Sequence, residues 1–287
     1  MKKVLFTALL MAGCFLASAQ MRMPKIDTVY IWPNGAPNEF EVNAADLPRG
    51  VTMDNAFTTA LMEVYPARRP NGLCLIMTPG GAYQTVAMDP EGREFKDWLN
   101  ARGITCCVLQ YRLPYGHHDV PLSDAAEAVR IMRSRAAELG ITKVGILGGS
   151  AGGHLAATLS THFDEETRPD FQILLYPVIT MDASFTHTGS RENLLGKNPS
   201  QELVDYYSAE KQVTKNTPPA FIVLCSDDRV VPPVNSLRYY EALIQNGVSA
   251  TMHIYPTGGH GWGWRDTFIY KESWLPQMEQ WLNLQLK

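Results

Sequence analysis

Lys143-Val144-Gly145-Ile146-Leu147-Gly148-Gly149-Ser150-Ala151-Gly152-Gly153-His154 carries an apolar, strand-like run straight into a glycine-flanked serine and on into a helical pattern. G-x-S-x-G between a strand and a helix is the sequence form of a turn too sharp for ordinary side chains. The serine there takes a strained backbone conformation, and glycines two places on either side remove the atoms that would collide with it. Such a turn lifts the Ser150 hydroxyl to the top of a sheet, and the amide of Ala151 at the helix start points at any negative charge developing beside it.

Working outward, apolar runs bounded by Gly and Pro alternate with amphipathic stretches, the pattern of a mostly parallel sheet covered by helices. Strands are expected at residues 59–65, 73–78, 105–110, 143–147, 171–175, 221–225 and 251–255, with an edge strand at 28–32. Helices are expected at 91–102, 121–139, 152–162, 233–246 and 267–284. The fold class is therefore α/β: a three-layer sandwich with about eight strands and helices on both faces. Consecutive apolar residues such as Cys74-Leu75-Ile76-Met77 suit central strands buried on both sides. In such sheets ligand chemistry gathers beyond the carboxyl ends of the strands, so the polar residues that follow a strand are the candidates.

Two further glycine-rich segments pass that test. Strand 73–78 ends in Pro79-Gly80-Gly81-Ala82-Tyr83, which resembles the HGGG loop of lipases and esterases, with Pro79 in place of His and Ala82 in place of the third Gly. Carried over by position, the amides of Gly81 and Ala82 join Ala151 as oxyanion donors, and Tyr83 stands beside the substrate. Strand 251–255 ends in Pro256-Thr257-Gly258-Gly259-His260. A serine hydroxyl needs a base, and a base needs its second ring nitrogen held by an acceptor; none of the other six histidines follows a strand end by a Gly-Gly pair. The acceptor is Asp227 or Asp228, both just after strand 221–225. The string Asp227-Asp228-Arg229-Val230-Val231-Pro232 resembles the acid loop of prolyl oligopeptidases, where the first aspartate serves, and this favours Asp227. Arg229 either touches substrate or pairs with Asp228.

With these segments together the chain resembles the bacterial acetylesterase and acetyl-xylan-esterase-like branch of α/β hydrolases, related to hormone-sensitive-lipase-type and feruloyl esterases. The likeness extends to Trp32-Pro33-Asn34-Gly35-Ala36-Pro37, Tyr111-Arg112-Leu113, Gly152-Gly153-His154-Leu155-Ala156, Gly189-Ser190-Arg191 and Asn193-Leu194-Leu195-Gly196. It implies deacetylation of xylan or related sugar esters through Ser150, His260 and Asp227, with no metal or organic cofactor. Residues 177–219 form one long excursion between strands, and Phe185, His187, Tyr206 and Tyr207 within it suit a cap. The alternatives are a serine peptidase of the prolyl-oligopeptidase type, whose large propeller residues 20–287 leave no room for, and a catalytically silent glycan-binding relative, which would not need all three residues.

Lys2 and Lys3 precede an apolar run, Val4 to Leu16, that closes on Ala17-Ser18-Ala19. This predicts a secretory signal peptide over 1–19 and a single catalytic domain over 20–287, exported to the periplasm or beyond; a lipid tether through Cys14 is the alternative. The run is short for a membrane span. A formal net charge of −4, more negative without Lys2 and Lys3, gives no footprint for nucleic acid. The partner expected is an oligosaccharide or small-molecule ester, and oligomeric state is not legible. Cys74, Cys106, Cys107 and Cys225 all fall in apolar strand-like runs, as buried free thiols do.

Overall fold

The computed structural model describes residues 26–42, 47, 52 and 56–287; the leader expected over 1–19 and the Cys14 tether site fall outside the described residues. Eight strands form one sheet: β1 (Asp27–Tyr30), β2 (Leu61–Tyr65), β3 (Leu73–Thr78), β4 (Thr105–Gln110), β5 (Lys143–Gly149), β6 (Gln172–Leu175), β7 (Ala220–Cys225) and β8 (Ala250–Tyr255). Their order is β1-β2-β4-β3-β5-β6-β7-β8, with β2 antiparallel to both neighbours and every later pairing parallel. This is the α/β-hydrolase architecture, and the apolar runs mark its strands to within two residues or so at each end. Every residue of β3 and β7 is buried, because a central parallel strand has helices on both sides.

The helices are α1 (Lys96–Ala101), α2 (Val120–Ser134), α3 (Ala136–Leu139), α4 (Ser150–Leu159), α5 (Thr188–Leu195), α6 (Gln201–Tyr206), α7 (Val234–Gln245) and α8 (Lys271–Gln285). On one face α2 packs on α4, and α4 lies on β5 and β6. On the other, an Arg102–Glu279 ion pair joins α8 to the end of α1, and Trp281 of α8 meets Phe171 and Phe221 edge-on or tilted. The helix expected from Glu91 starts later, as a 3-10 turn at Arg93–Phe95 running into α1. Gly92 has a non-helical backbone, and a Cβ there would stand 2.5 Å from Val108, so the chain stays irregular through Glu91. Helices α5 and α6 inside the 177–219 excursion were not foreseen; His187 and Ser200 cap them by accepting from Ser190 N and Leu203 N.

Two of the sequence stretches behind the family resemblance turn out to be tethers. The buried Arg112 guanidinium holds Asp124 of α2 at 2.6 Å, and Trp32 Nε1 donates to the same carboxylate at 2.6 Å, so the Trp32 segment is strapped to the domain. Tyr111 donates to the Pro79 carbonyl at 2.8 Å. The four cysteines of the described residues are buried free thiols.

Candidate active site

Parallel registers such as Thr78 with Gly148 and Cys225 with Tyr255 bring the loops after β3, β5, β7 and β8 out along one edge. At the end of β5, Ser150 takes φ +52, the left-handed region that L-residues occupy only under constraint. The constraint is close packing: a Cβ on Gly152 would lie 1.9 Å from the Thr78 carbonyl oxygen, and one on Gly148 would lie 2.1 Å from the Gly152 oxygen. Only glycine lets β3, β5 and α4 approach so closely. Thr78 Oγ1 donates to the Gly152 carbonyl at 2.9 Å, and Val178 N donates to the Ser150 carbonyl at 3.0 Å, which holds the turn.

Ser150 Oγ stands 2.8 Å from His260 Nε2, and His260 Nδ1 stands 2.7 Å from Asp228 Oδ2. An ionised carboxylate only accepts, so Nδ1 carries the proton and Nε2 is the lone pair facing the serine hydroxyl. The partner is Asp228, not Asp227 as the acid-loop resemblance suggested. Asp228 is 5% exposed, and its other oxygen accepts the amides of Val230 and Val231, each at 2.9 Å. That turn pins the carboxylate and aims Oδ2 at the imidazole. Asp227 is exposed and reaches sideways to the Gly258 and Gly259 amides, at 3.2 and 2.8 Å, bracing the histidine loop from outside. Arg229 is exposed and makes no ion pair with Asp228 among the described residues.

The loop after β3, where the sequence places oxyanion donors, is built by anchoring carbonyls. Gly80 O accepts from Ala87 N at 2.9 Å, and Gly81 O accepts from Gln84 N and Thr85 N at 2.9 and 3.0 Å. Because each peptide is planar and trans, fixing those oxygens fixes the amides of Gly81 and Ala82 on the opposite side. Neither amide donates to any group among the described residues. Ala82 and Tyr83 both take positive φ, +56 and +57, and Asn193 Nδ2 of α5 donates to the Ala82 carbonyl at 2.8 Å. The loop lies against the Ser150 turn, since a Cβ on Gly80 would meet Ser150 Cβ at 2.8 Å.

Tyr83 does not present its ring to a substrate. It is 3% exposed, and its hydroxyl donates to His154 Nδ1 at 2.8 Å, while His154 Nε2 donates to the Tyr207 carbonyl at 2.8 Å. A carbonyl can only accept, which fixes the tautomer. Burial lowers the His154 pKa to about 4. Of the four residues expected in a cap, Tyr207 is thus buried beneath α4, and Tyr206 packs on His162 just past the end of that helix. The excursion brings Asn193 to the Ala82 carbonyl, and it sets half-buried His187 close enough to His260 and Asp228 for their charges to act on it.

A cleft of about 240 Å³ opens beside His260, lined by Thr257, Gly258, Trp262, Arg265, Phe268 and Ile269 among others. A larger hollow, about 440 Å³, lies by Glu39, Phe40 and Arg112 and includes no member of the Ser150 relay. Among the described residues no cluster of three or more His, Cys, Asp or Glu is placed to hold a metal, and no helix is long and apolar enough to cross a membrane.

Sequence reasoning missed Glu91 and Tyr176. Glu91 is 6% exposed, accepts from Gly80 N at 2.6 Å and faces the Tyr176 hydroxyl at 3.0 Å. Tyr176 follows β6 with φ +37, and its ring meets His260 edge-on at 4.8 Å. A charged residue opening an amphipathic helical pattern reads as solvated, and only its burial marks it.

The sequence profile of the prolyl oligopeptidase family matches residues 111–287. Acetylxylan esterase of Xylanibacter ruminicola is 40% identical over 229 residues, 78% of this chain and 48% of the relative. Endo-1,4-beta-xylanase B of Butyrivibrio fibrisolvens is 37% identical over 205 residues, 66% of this chain and 32% of the relative. The chain thus spans half or less of the length of these two relatives. Among solved structures, the acetyl ester-xyloside bifunctional hydrolase of Caldicellulosiruptor lactoaceticus superposes with a TM-score of 0.77 at 35% identity, covering 92% of this chain and 97% of that one.

Proposed function

The chain belongs to the prolyl oligopeptidase family, and from that premise we propose that it is an exported serine esterase that removes acetyl groups from xylan or its fragments. The observation that carries the reading is the continuous relay Ser150 Oγ, His260 Nε2, His260 Nδ1, Asp228 Oδ2, with contacts of 2.8 and 2.7 Å. Xylan chemistry is supported by the chain's likeness to an acetylxylan esterase, an endo-xylanase and an acetyl ester-xyloside hydrolase. Export rests on the leader-like residues 1–19.

In the first half-reaction Ser150 Oγ attacks the acetyl carbonyl carbon as His260 Nε2 takes its proton. Asp228 holds the imidazole in the right tautomer and stabilises the cation that forms. The tetrahedral oxyanion rests on the amides of Gly81, Ala82 and Ala151, which are fixed before charge appears and need no reorganisation. His260 then protonates the departing sugar oxygen, the C–O bond breaks, and the acetyl group stays on Ser150. Water, deprotonated by His260, attacks the acetyl-serine and releases acetate.

The experiment is covalent labelling with a fluorophosphonate, followed by hydrolysis of acetylated xylan, acetylated xylo-oligosaccharides, feruloyl esters, aryl acetates and prolyl peptides. Labelling at Ser150 with acetyl esters turned over fastest is the expected result. No labelling would overturn the serine mechanism, and peptide cleavage without ester cleavage would return the chain to the peptidase reading.

A further inference from the structure

We propose that Glu91 is a positioning residue for the Ser150 site, holding the oxyanion loop and the histidine loop in register from beneath. The proposal rests on the serine-esterase reading above and adds to it a residue with no part in the relay.

Glu91 is a buried carboxyl with no ion-pair partner within 4 Å among the described residues. A carboxylate in that position is costly unless hydrogen bonds satisfy it, and here they come from two sides. Oε2 accepts the Gly80 amide at 2.6 Å. Oε1 accepts the Tyr176 hydroxyl at 3.0 Å, and the Tyr176 oxygen in turn accepts Gly263 N at 2.9 Å. Gly263 cannot do otherwise than donate, so the tyrosine proton goes to Glu91, and one carboxylate joins the loop after β3 to the loop after β8. Burial pushes the Glu91 carboxyl up, and the Gly80 and Tyr176 hydrogen bonds pull against it.

The packing around it is close enough to exclude side chains at three neighbouring positions. Cβ atoms on Gly149 and Gly80 would meet Glu91 Oε2 at 2.5 and 2.7 Å, and one on Gly263 would meet the Pro90 carbonyl at 2.2 Å. The nucleophile turn, the oxyanion loop and the histidine loop each bring a glycine up to this one segment. Trp264 N adds a bond to the Pro90 carbonyl at 2.8 Å.

The consequence runs through planar peptides. The Pro79–Gly80 peptide is held at its oxygen by Tyr111 and at its nitrogen by Glu91. With that plane fixed, Gly81 and Ala82 follow in a set direction, which is where the proposed oxyanion donors lie. On the other side Tyr176 carries the constraint to His260 through its ring, 4.8 Å from the imidazole. Glu91 touches no reacting atom. Its effect is on the distance between the oxyanion donors and the base.

The test is steady-state hydrolysis of an aryl acetate by the full chain and its Glu91→Ala, Glu91→Gln, Tyr176→Phe and Glu91→Ala/Tyr176→Phe variants, with fold checked by circular dichroism and melting. Misplacement on the ångström scale costs on the order of 100-fold in turnover, so Glu91→Ala should lower kcat about 100-fold with KM within about threefold. Glu91→Gln keeps an acceptor for Gly80 N and should recover about tenfold of that loss. Tyr176→Phe should cost about tenfold, and the double variant should be no slower than Glu91→Ala, because the two residues act through one chain. Fluorophosphonate labelling of Ser150 should slow in parallel with kcat. A folded Glu91→Ala with kcat within threefold, a loss confined to KM, or fully multiplicative losses in the double variant would overturn the proposal. Should Glu91→Ala fail to fold, unchanged kcat in both Glu91→Gln and Tyr176→Phe overturns it. A wild-type chain that neither labels nor turns over esters overturns the esterase reading and this proposal together, whereas an active wild type with an unimpaired Glu91→Ala overturns this one alone.

Discussion

Two histidines meet at the helix that begins with Ser150, His154 within α4 and His260 on the loop facing its first residue, and each sits in a chain of hydroxyl, imidazole and oxygen acceptor. At the open edge, the Ser150 hydroxyl faces Nε2 of His260 and Asp228 takes Nδ1. On the buried side of α4 itself, the Tyr83 hydroxyl faces Nδ1 of His154 and the Tyr207 carbonyl takes Nε2. The bond lengths are the same within 0.1 Å, so geometry of the histidine does not separate them. Three things do. The first chain ends on a carboxylate that stabilises an imidazolium, the second on a neutral carbonyl. The first hydroxyl is an alkyl one on a strained turn, the second a phenol whose acidity burial suppresses. The first ring borders a cleft, and the second is wholly enclosed. The first arrangement suits the proton transfer of the proposed mechanism, and the second ties the loop after β3 to the excursion.

The largest expected effect tests the edge chain. Ser150→Ala should cut ester turnover by a factor on the order of 10⁶ and abolish phosphonate labelling, with an unchanged melting temperature. Retention of more than a few per cent of activity would erase the distinction between the two chains. Next comes the carboxylate. Asp228→Asn should lower kcat about 10⁴-fold by presenting the wrong tautomer to Ser150, while Asp227→Asn, which only loosens the Gly258–Gly259 brace, should stay within about tenfold. Reversed magnitudes would return the role to Asp227.

The buried chain should answer in stability. His154→Gln is expected to leave kcat within about tenfold while destabilising the fold by about 1–3 kcal/mol at pH 8, read by urea unfolding. The pH sense follows from the lowered pKa. Between the free-histidine value of 6.5 and about 4 the unfolded chain binds a proton at this position that the folded chain refuses. Stability from neutral His154 is therefore complete above about 6.5 and lost as pH falls through that window, by up to about 3 kcal/mol. The gap between wild type and His154→Gln should narrow from pH 8 to pH 5; a constant gap would mean that His154 titrates normally. The smallest effect concerns the loop both chains serve. Ala82→Gly relieves a positive φ and removes a methyl, so stability should change by about 1 kcal/mol or less. The rate ratio of aryl butyrate to acetate should rise by about fourfold per methylene newly accommodated. An unchanged ratio across acetate to octanoate would remove Ala82 from the control of acyl length.

Much of this was legible along the chain. Apolar runs between glycines and prolines locate the strands because a doubly covered strand leaves no alternating signature to misread. Ser150 and His260 are marked by the local chemistry of their turns, since a sharp strand-to-helix turn and a flexible Gly-Gly approach are properties of neighbouring residues. The choice between Asp227 and Asp228 lies beyond that reach. Adjacent side chains leave a strand end in different directions, and only the loop carrying His260 determines which of them meets an imidazole.

The sequence by itself thus determined the α/β class and the strand set, and singled out Ser150 and His260 as the proposed nucleophile and base, all from local turn chemistry and periodicity. The tertiary structure alone decided that Asp228 takes the histidine, that Tyr83 turns inward to His154, that Asn193 reaches the Ala82 carbonyl across 111 positions, and that Glu91 gathers three loops. Each of these depends on which groups distant in the chain come within hydrogen-bonding range. That is settled by how β3, β5, β6, β7 and β8 stack side by side, and no local pattern encodes it.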